Sequence, residues 1–189
     1  MPKYIIDHME PTLFKWCILE YKHMSQIVGR TNLIFTNITK GKANLKGLGT
    51  IYSKPIDKLN MNLRKACILD PGAKKQLTPK DAKKFDCFIF GGILGDYPPR
   101  ARTKELVHRL PKAATRNLGR KQMSTDTAVH VTKLIYSGKK IEELDFQDKI
   151  EIQISKGESV LLPYRYLLEN KEPVLPPGLI EMLKKQKGF

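Results

Sequence analysis

Acidic residues and cysteine are both scarce in this chain. Its 189 residues include 19 Asp and Glu but 34 Lys and Arg, which gives a formal net charge of +15. An excess of this size implies attraction to phosphate-rich surfaces, although it does not name the phosphate. The three cysteines, Cys17, Cys67 and Cys87, lie in apolar segments without Cys-x-x-Cys spacing. They are predicted to be buried thiols, and neither a zinc site nor a disulfide framework is expected.

Long apolar runs are absent as well. No stretch approaches the roughly 20 uninterrupted apolar residues that a membrane span needs, and residues 1–7 lack the apolar core of a signal peptide. A cytoplasmic protein is therefore expected, with the nucleus as the alternative. With 41% hydrophobic residues, the chain has enough apolar side chains for one compact domain with a core, which excludes disorder as its dominant state.

Apolar segments of two kinds alternate along residues 1–138. Short apolar runs at 3–7, 33–35, 66–69, 87–90 and 114–118 predict strands, and periodic segments at 13–28, 78–84, 103–110 and 124–136 predict helices. This alternation indicates an α/β fold, with a mostly parallel sheet covered by helices on both faces. Residues 38–63 are rich in lysine and glycine and lack a clear period, which predicts a basic surface excursion.

The pattern weakens after Gly138. Residues 149–155 alternate isoleucine with polar residues, as a half-exposed strand does, and prolines punctuate the chain that follows. We therefore predict one domain over residues 1–138, with residues 139–189 as a carboxy-terminal appendage packed on it.

Three loops that follow predicted strands are candidate ligand sites, because ligands of open parallel sheets bind at the carboxyl ends of the strands. These loops are 70–72, 91–96 and 118–127. The glycines of the second loop permit close approach of a ligand but also suit a tight turn. The loop matches neither a P-loop nor the Gly-x-Gly-x-x-Gly fingerprint, which argues against a nucleoside-triphosphate enzyme.

Several motifs together resemble a small branch of the SPOUT methyltransferases. They are Asp7-His8-Met9-Glu10, Trp16-Cys17-Ile18-Leu19-Glu20-Tyr21, Leu69-Asp70-Pro71, FGGILGDYPPR at 90–100 and KQMSTDTA at 121–128. The branch includes a fungal enzyme that methylates an arginine of a ribosomal protein, and archaeal members described as predicted RNA methyltransferases. The resemblance covers nearly the whole chain, except for residues 38–63.

The resemblance implies a deep trefoil knot in the carboxy-terminal part of the sheet, with S-adenosylmethionine (SAM) bound among three knot loops. The cofactor-binding residues that it implies are Leu69, Pro71, Gly91, Gly92, Leu94, Gly95, Asp96, Leu118, Gly119, Gln122 and Met123. Methyl transfer of this kind needs no metal, and the four histidines show no metal-ligand spacing.

Methylation of an arginine needs a carboxylate near the cofactor, because a guanidinium stays protonated, with a pKa above about 12. The carboxylate orients the guanidinium and takes the proton that is released. The predicted catalytic residues are Asp7, Glu10 and Asp126. Asp7 and Glu10 are favoured because neither has an obvious capping or pairing role. For Asp126 the alternative is a structural role at a helix start, and for Asp96 it is a turn.

Basic residues near the predicted loops are the candidates for substrate binding. They are Arg100, Arg102, Arg109, Lys112 and Arg116, together with His8 at the end of the first strand. Residues 97–121 hold eight basic residues against Glu105 alone, and this tract is predicted to contact RNA phosphates. The alternatives are a solvated basic face and, for His8, a structural histidine.

Three functions are compatible with these residues. The favoured one is a SAM-dependent methyltransferase that acts on an arginine of a ribosomal protein. The others are a methyltransferase of ribosomal or transfer RNA, and a non-catalytic RNA-binding knot protein. The expected partner is a ribosomal protein or a ribosomal particle, with no membrane partner, and both a monomer and a knot-mediated homodimer fit the sequence.

Overall fold

The computed structural model describes residues 1–93 and 102–185. Within these residues the central sheet consists of β1 (Lys3–His8), β2 (Leu33–Thr36), β3 (Thr50–Ile51), β4 (Ala66–Leu69), β5 (Cys87–Gly92) and β6 (Ala114–Arg116). All neighbouring strands are parallel, and they lie in the order β3-β2-β1-β5-β4-β6. The predicted α/β fold with a parallel sheet is therefore confirmed.

The helices of this domain are α1 (Lys15–Val28), α2 (Pro79–Ala82), α3 (Thr103–Arg109) and α4 (Thr125–Ser137). Two of their ends follow local sequence signals. α1 ends at Gly29, whose φ is +80°, and Thr78 caps α2 by accepting a hydrogen bond from the Asp81 N–H (3.3 Å). None of the described helices is both long and apolar enough to cross a membrane.

Helices cover both faces of the sheet. Successive side chains of a strand point to opposite faces, so neighbouring residues of β1 pack against different helices. Tyr4 and Ile6 of β1 pack in one cluster with Met24 of α1 and Val131 of α4. Ile5, between them, packs in a second cluster with residues of α3. The three cysteines are buried in these layers, as predicted.

Residues 38–63 are anchored more firmly than predicted. They contain two short 3-10 helices, Lys42–Leu45 and Ile56–Lys58, and β3, which extends the sheet beside β2. Leu45 and Ile56 are fully buried. Most of the other residues in the segment are exposed, as in a surface excursion, but its buried anchors were not predicted. Isolated apolar residues at irregular spacing leave no period in the sequence, yet the folded sheet buries them.

The segment that follows β6 forms hydrogen bonds with the loops after β4 and β5. The backbone N–H of Asn117 donates a hydrogen bond to the Lys75 carbonyl (2.8 Å), in the loop after β4. Farther along, the Thr125 hydroxyl donates to the Ile93 carbonyl (3.2 Å), just after β5. Residues 117–125 therefore contact the loops among which the family resemblance places the knot.

Residues 139–185 contain a second, antiparallel sheet and a helix. These elements are β7 (Phe146–Ser155), β8 (Glu158–Glu169), β9 (Glu172–Pro173) and α5 (Leu179–Lys185). β7, β8 and α5 share a small core, against which the half-buried Trp16 of α1 packs. The half-exposed strand predicted at 149–155 is confirmed. β8 escapes prediction because Leu161-Leu162 and Leu167-Leu168 interrupt its alternation.

Asp148 of β7 joins the appendage to the loop after β6. Its carboxylate accepts a hydrogen bond from Arg165 Nε (2.7 Å) and pairs with Lys121. Arg165 and Lys121 lower the pKa of Asp148 to about 2. Because the pKa is lowered in the folded state, this carboxylate stabilises the fold above its unfolded pKa of about 3.9, and the contribution is lost as the pH falls through the folded pKa.

We expect Asp148→Asn to lower the thermal unfolding midpoint near neutral pH, and the difference from wild type to shrink between about pH 4 and about pH 2. Calorimetric scans across this range measure the effect. Asp86→Asn is the matched control, because Asp86 is exposed and forms no ion pair with a described residue. A difference that stays constant at acidic pH contradicts the role of the Asp148 charge.

Candidate active site

A cavity of about 320 Å³ lies at the carboxyl ends of β4 and β5, beside the segment that follows β6. Its volume falls at the lower end of the range for small-molecule sites. Seven of the predicted cofactor-binding residues line it: Leu69, Pro71, Gly91, Leu118, Gly119, Gln122 and Met123. The three predicted loops therefore meet in one site, as expected at this edge of a parallel sheet.

The lining suits a ligand with an apolar body. Phe90, Ile93 and Ala128 contribute further apolar side chains. Gly91 lines the cavity with its main chain, and a Cβ atom there would crowd Ile93, at 2.9 Å from its Cδ1 atom. Gly119 has a φ of +95°, which side chains rarely adopt, so glycine lets the loop turn beside the cavity. Apolar walls with accessible main chain fit the adenine and thioether parts of SAM.

Gly92 serves packing rather than the cavity. It is buried in β5 and does not line the cavity. A Cβ atom at this position would overlap the Tyr21 hydroxyl and would lie 3.1 Å from His8 Cα. The missing side chain of Gly92 is needed where α1 packs on the sheet, and a contact between its backbone and the cofactor stays a prediction. The predicted residues Leu94, Gly95, Asp96 and Arg100 lie outside the described residues.

Glu20 of α1 places a carboxylate on the wall of the cavity. The residue is only 5% exposed, and the Trp16 indole N–H donates a hydrogen bond to its Oε1 atom (3.0 Å). Burial raises the pKa of Glu20 well above its ordinary value, and the charge of Asp126 raises it further. Within residues 1–93 and 102–185 no second donor contacts this carboxylate, so its other oxygen is available to a ligand.

Glu20 is absent from the predicted catalytic residues, although the sequence contains a signal for it. It lies on the buried side of α1 with Cys17, Tyr21 and Met24. An acid on the apolar stripe of a helix is rare unless it is paired or functional. Asp70, the other acid among the described residues that line the cavity, accepts a hydrogen bond from the Gly72 N–H (3.0 Å) and makes a turn.

Asp126 lies behind Glu20, not on the cavity wall. It is fully buried in the first turn of α4, and its Oδ2 atom is 2.7 Å from His23 Nδ1 of α1. Its Oδ1 atom has no hydrogen-bond partner among the described residues. Asp126 therefore joins α1 to α4 and acts on the site through the pKa of Glu20. A direct catalytic contact, as predicted, does not fit this position.

Asp7 is engaged in the fold. Its carboxylate is fully buried and accepts hydrogen bonds from the Thr36 hydroxyl (2.5 Å) and the Ile56 N–H (3.0 Å). It also pairs with Arg109, which contacts Asp57 as well (2.6 Å). The prediction that Asp7 lacks a pairing role is wrong, because its partners come from distant parts of the chain.

Glu10 and His8 have partners of their own. Glu10 forms an ion pair with Arg102 (2.7 Å), and of these two only Arg102 lines the cavity. The predicted absence of a pairing role for Glu10 is therefore also wrong. His8 is buried, with Nδ1 at 2.8 Å from the Tyr21 hydroxyl and Nε2 at 3.2 Å from the Thr12 carbonyl. The structural alternative for His8 fits better than substrate binding.

The predicted basic tract is partly neutralised. Arg109 pairs with Asp7 and Asp57, and Arg116 pairs with Asp81. Of Arg109, Lys112 and Arg116, only Lys112 is exposed and has no carboxylate partner among the described residues. Replacing Arg109 would thus leave Asp7 buried and unpaired, which makes this arginine a structural residue.

We expect Gly92→Ala to destabilise the fold by about 1–3 kcal/mol, the usual cost of overpacking. Because the added methyl group would meet the Tyr21 hydroxyl, adding Tyr21→Phe should recover part of the loss. Gly72→Ala is the control for stability alone, since a Cβ atom there would lie 3.4 Å from Asp70 Oδ2, in ordinary contact, but Gly72 itself lines the cavity. Urea unfolding measures stability, and calorimetry measures SAM affinity. A Gly92→Ala variant with normal stability but weakened SAM binding would show that Gly92 contacts the cofactor rather than serving packing.

Known proteins similar to this chain include a yeast methyltransferase and its complexes with SAM and SAH. The chain is 40% identical over 204 aligned residues to protein arginine N-methyltransferase SFM1 of Saccharomyces cerevisiae, covering 98% of this chain and 96% of the yeast protein. The crystal structure of the yeast enzyme complexed with SAH matches with a TM-score of 0.90 at 40% identity, covering 96% of this chain and 94% of that one. The SAM complex also matches at 0.90, with 41% identity over 97% and 90% of the two chains.

A dual-specific Trm10 from Thermococcus kodakaraensis shares the fold alone, with 20% identity, a TM-score of 0.64 and coverage of 76% of this chain and 96% of that one. A family profile described as protein arginine N-methyltransferase SFM1-like matches residues 3–188. The resemblance read from the sequence motifs is thus confirmed, and so are the fold and SAM as the cofactor. This chain belongs to the SFM1-like family of protein arginine N-methyltransferases.

Proposed function

We propose that this chain transfers a methyl group from SAM to an arginine side chain of a ribosomal protein. The observation that supports this most strongly is Glu20, a buried carboxylate on the wall of a largely apolar cavity of cofactor size. In a chain with a net charge of +15, such a group marks a place where a cation is required. Membership of the SFM1-like family supports arginine as that cation.

The cofactor would be held by the three loops that line the cavity. Leu69, Pro71, Leu118 and Met123 would contact its apolar parts, and the backbone at Gly91 would lie against it. When bound, SAM supplies an electrophilic methyl group. The protein must therefore bring a nucleophilic nitrogen to that group and remove the proton which the nitrogen carries.

The free oxygen of Glu20 can both orient the acceptor nitrogen and accept its proton. A guanidinium has five N–H donors in a planar fork, which a carboxylate holds by charge-assisted hydrogen bonds. The Trp16 N–H fixes the direction of the carboxylate from the other side. When the guanidinium loses a proton, a carboxylate with a raised pKa is a better acceptor for it than an ordinary one.

The surroundings of Glu20 favour a cation over an RNA acceptor. Two carboxylates, Glu20 and Asp126, interact here, and His23 compensates for only one of them. A guanidinium would relieve their repulsion, whereas a phosphate beside the acceptor nucleotide would increase it. Methylation of ribosomal or transfer RNA is the second candidate, and the net charge of +15 is the observation that favours it.

We expect Glu20→Gln to reduce kcat by about a hundredfold or more while SAM affinity stays near wild type, because the amide keeps the shape but cannot take a proton. Isothermal calorimetry and single-turnover methylation separate the two effects. Trp16→Phe is the companion variant: it keeps the carboxylate, loses the hydrogen bond that orients it and should cause a smaller loss of kcat. Equal losses of SAM affinity and activity in Glu20→Gln would place Glu20 against the cofactor instead of the acceptor.

The same variant should be more stable than wild type. The folded protein raises the pKa of Glu20, so ionisation of this group costs stability as the pH rises above the unfolded value of about 4.3. Glu20→Gln removes that cost, and its unfolding midpoint at neutral pH should increase. An inactive variant with increased stability distinguishes a functional carboxylate from a structural one, whose loss would destabilise the fold.

The class of acceptor can be tested directly. The purified protein is incubated with methyl-labelled SAM and ribosomal subunits, and the product is divided between protease and ribonuclease. We expect protease to solubilise the label and amino-acid analysis to recover it as methylarginine. Release by ribonuclease would instead support RNA methylation. Glu20→Gln protein in a parallel reaction shows whether the label depends on this site.

A further inference from the structure

A second hollow lies beside α2, outside the cavity described above. Four basic side chains line it, those of Lys75, Lys80, Lys84 and Arg116, with the single carboxylate of Asp81. Only Arg116 belongs to the basic tract predicted from the sequence. The other three come from residues 74–84, which hold five lysines against Asp81 alone. The fold therefore adds Arg116, from a distant part of the chain, to a lysine-rich stretch.

The carboxylate in the hollow is already neutralised. Arg116 Nε donates a hydrogen bond to Asp81 Oδ2, and Lys84 Nζ lies 3.5 Å from its other oxygen. These cations lower the pKa of Asp81, first through the hydrogen bond from Arg116. Lys75 and Lys80 are exposed and have no carboxylate partner among the described residues. The hollow thus keeps an excess of positive charge that no described acid compensates.

The backbone around the hollow is held in place. The Asn117 N–H donates to the Lys75 carbonyl (2.8 Å), and the Leu77 N–H donates to the Asn117 carbonyl (2.9 Å). The guanidinium of Arg116 lies over the Phe85 ring (5.4 Å) and donates to the Thr115 carbonyl (2.7 Å). A cluster whose backbone and arginine are ordered in advance loses less entropy on binding than scattered surface lysines do.

We propose that this hollow binds the phosphate backbone of RNA. Lys75 and Lys80 supply free ammonium groups for phosphate oxygens. The Asp81 carboxylate, although paired with Arg116 and Lys84, would still accept a hydrogen bond from a ribose 2′-hydroxyl, which favours RNA over DNA. The loop that carries Lys75 also lines the cavity through Asp70 and Gly72. RNA in the hollow would therefore lie next to the cavity without entering it, and the proposal does not depend on methyl transfer.

The test uses the full chain and a fluorescent oligouridine of about 12 nucleotides, within the site size of single-strand binders. The variant is Lys75→Gln with Lys80→Gln, which leaves the Asp81 pairs intact. The control is Lys22→Gln with Lys156→Gln, because both lysines are exposed and neither lines the cavity or the hollow. Anisotropy titrations at several KCl concentrations give the affinity and its salt dependence. Thermal unfolding and SAM affinity are measured for each protein.

We expect the hollow variant to bind more weakly, with the slope of log affinity against log salt reduced by about 1.4, because each lost phosphate contact on a single strand removes about 0.7. The control should keep the wild-type slope, and SAM affinity and stability should be unchanged in both. Equal loss in the control, or an unchanged slope in the variant, would overturn the proposal. Equal binding of the corresponding DNA, or competition by polyglutamate at equal charge, would overturn the assignment to RNA.

Discussion

The hydrogen bonds of Asn117 hold the cavity and the hollow together. Asn117 is buried, its Nδ2 donates to the Ala73 carbonyl (2.7 Å) and its Oδ1 accepts from the Gly119 N–H (3.0 Å). Its backbone bonds to Lys75 and Leu77. One residue thus attaches the loop after β4 to the segment after β6. A buried polar network of this kind holds loops rigidly only when every group is satisfied, and here the side-chain oxygen and amide and both backbone groups are.

Unpaired basic residues lie at the surface of this molecule, whereas two acids near the cavity are buried. The net charge of +15 belongs to a surface on which Lys75 and Lys80 remain unpaired, whereas Arg109 pairs with the buried Asp7 and Arg116 with the partly exposed Asp81. Two acids near the cavity, Glu20 and Asp126, lie in the interior and are shielded from solvent. A basic exterior attracts polyanions over a distance, and a buried carboxylate selects a cation at contact. The two requirements do not conflict because they act at different distances.

Burying two carboxylates near the cavity costs free energy of folding, which packing elsewhere in the molecule must offset. Glu20 and Asp126 raise each other's energy in a buried setting, and His23 pairs with only one of them. The α1–α4 layer tolerates this because apolar residues such as Tyr21, Met24 and Val131 pack around the acids. A protein whose site holds an unfavourable buried charge is expected to be less stable than a variant with a neutral residue there. Such a loss of stability indicates function rather than poor packing.

Local chemistry in the sequence by itself determined most strands of the parallel sheet, the helix ends, the loops that form the cavity and the family motifs. Periodicity, the cap at Thr78 and the glycine after α1 act between near neighbours, so they can be read along the chain. Pairing between distant residues was decided only by the tertiary structure. His23 and Asp126 are 103 positions apart, and Arg109 meets Asp7 across 102. Whether a carboxylate is free or paired depends on which side chain arrives from another element, and sequence spacing carries no record of that. For this reason Asp7 and Glu10 looked free but are paired, and Glu20, which faces the cavity, was not among the predicted catalytic residues.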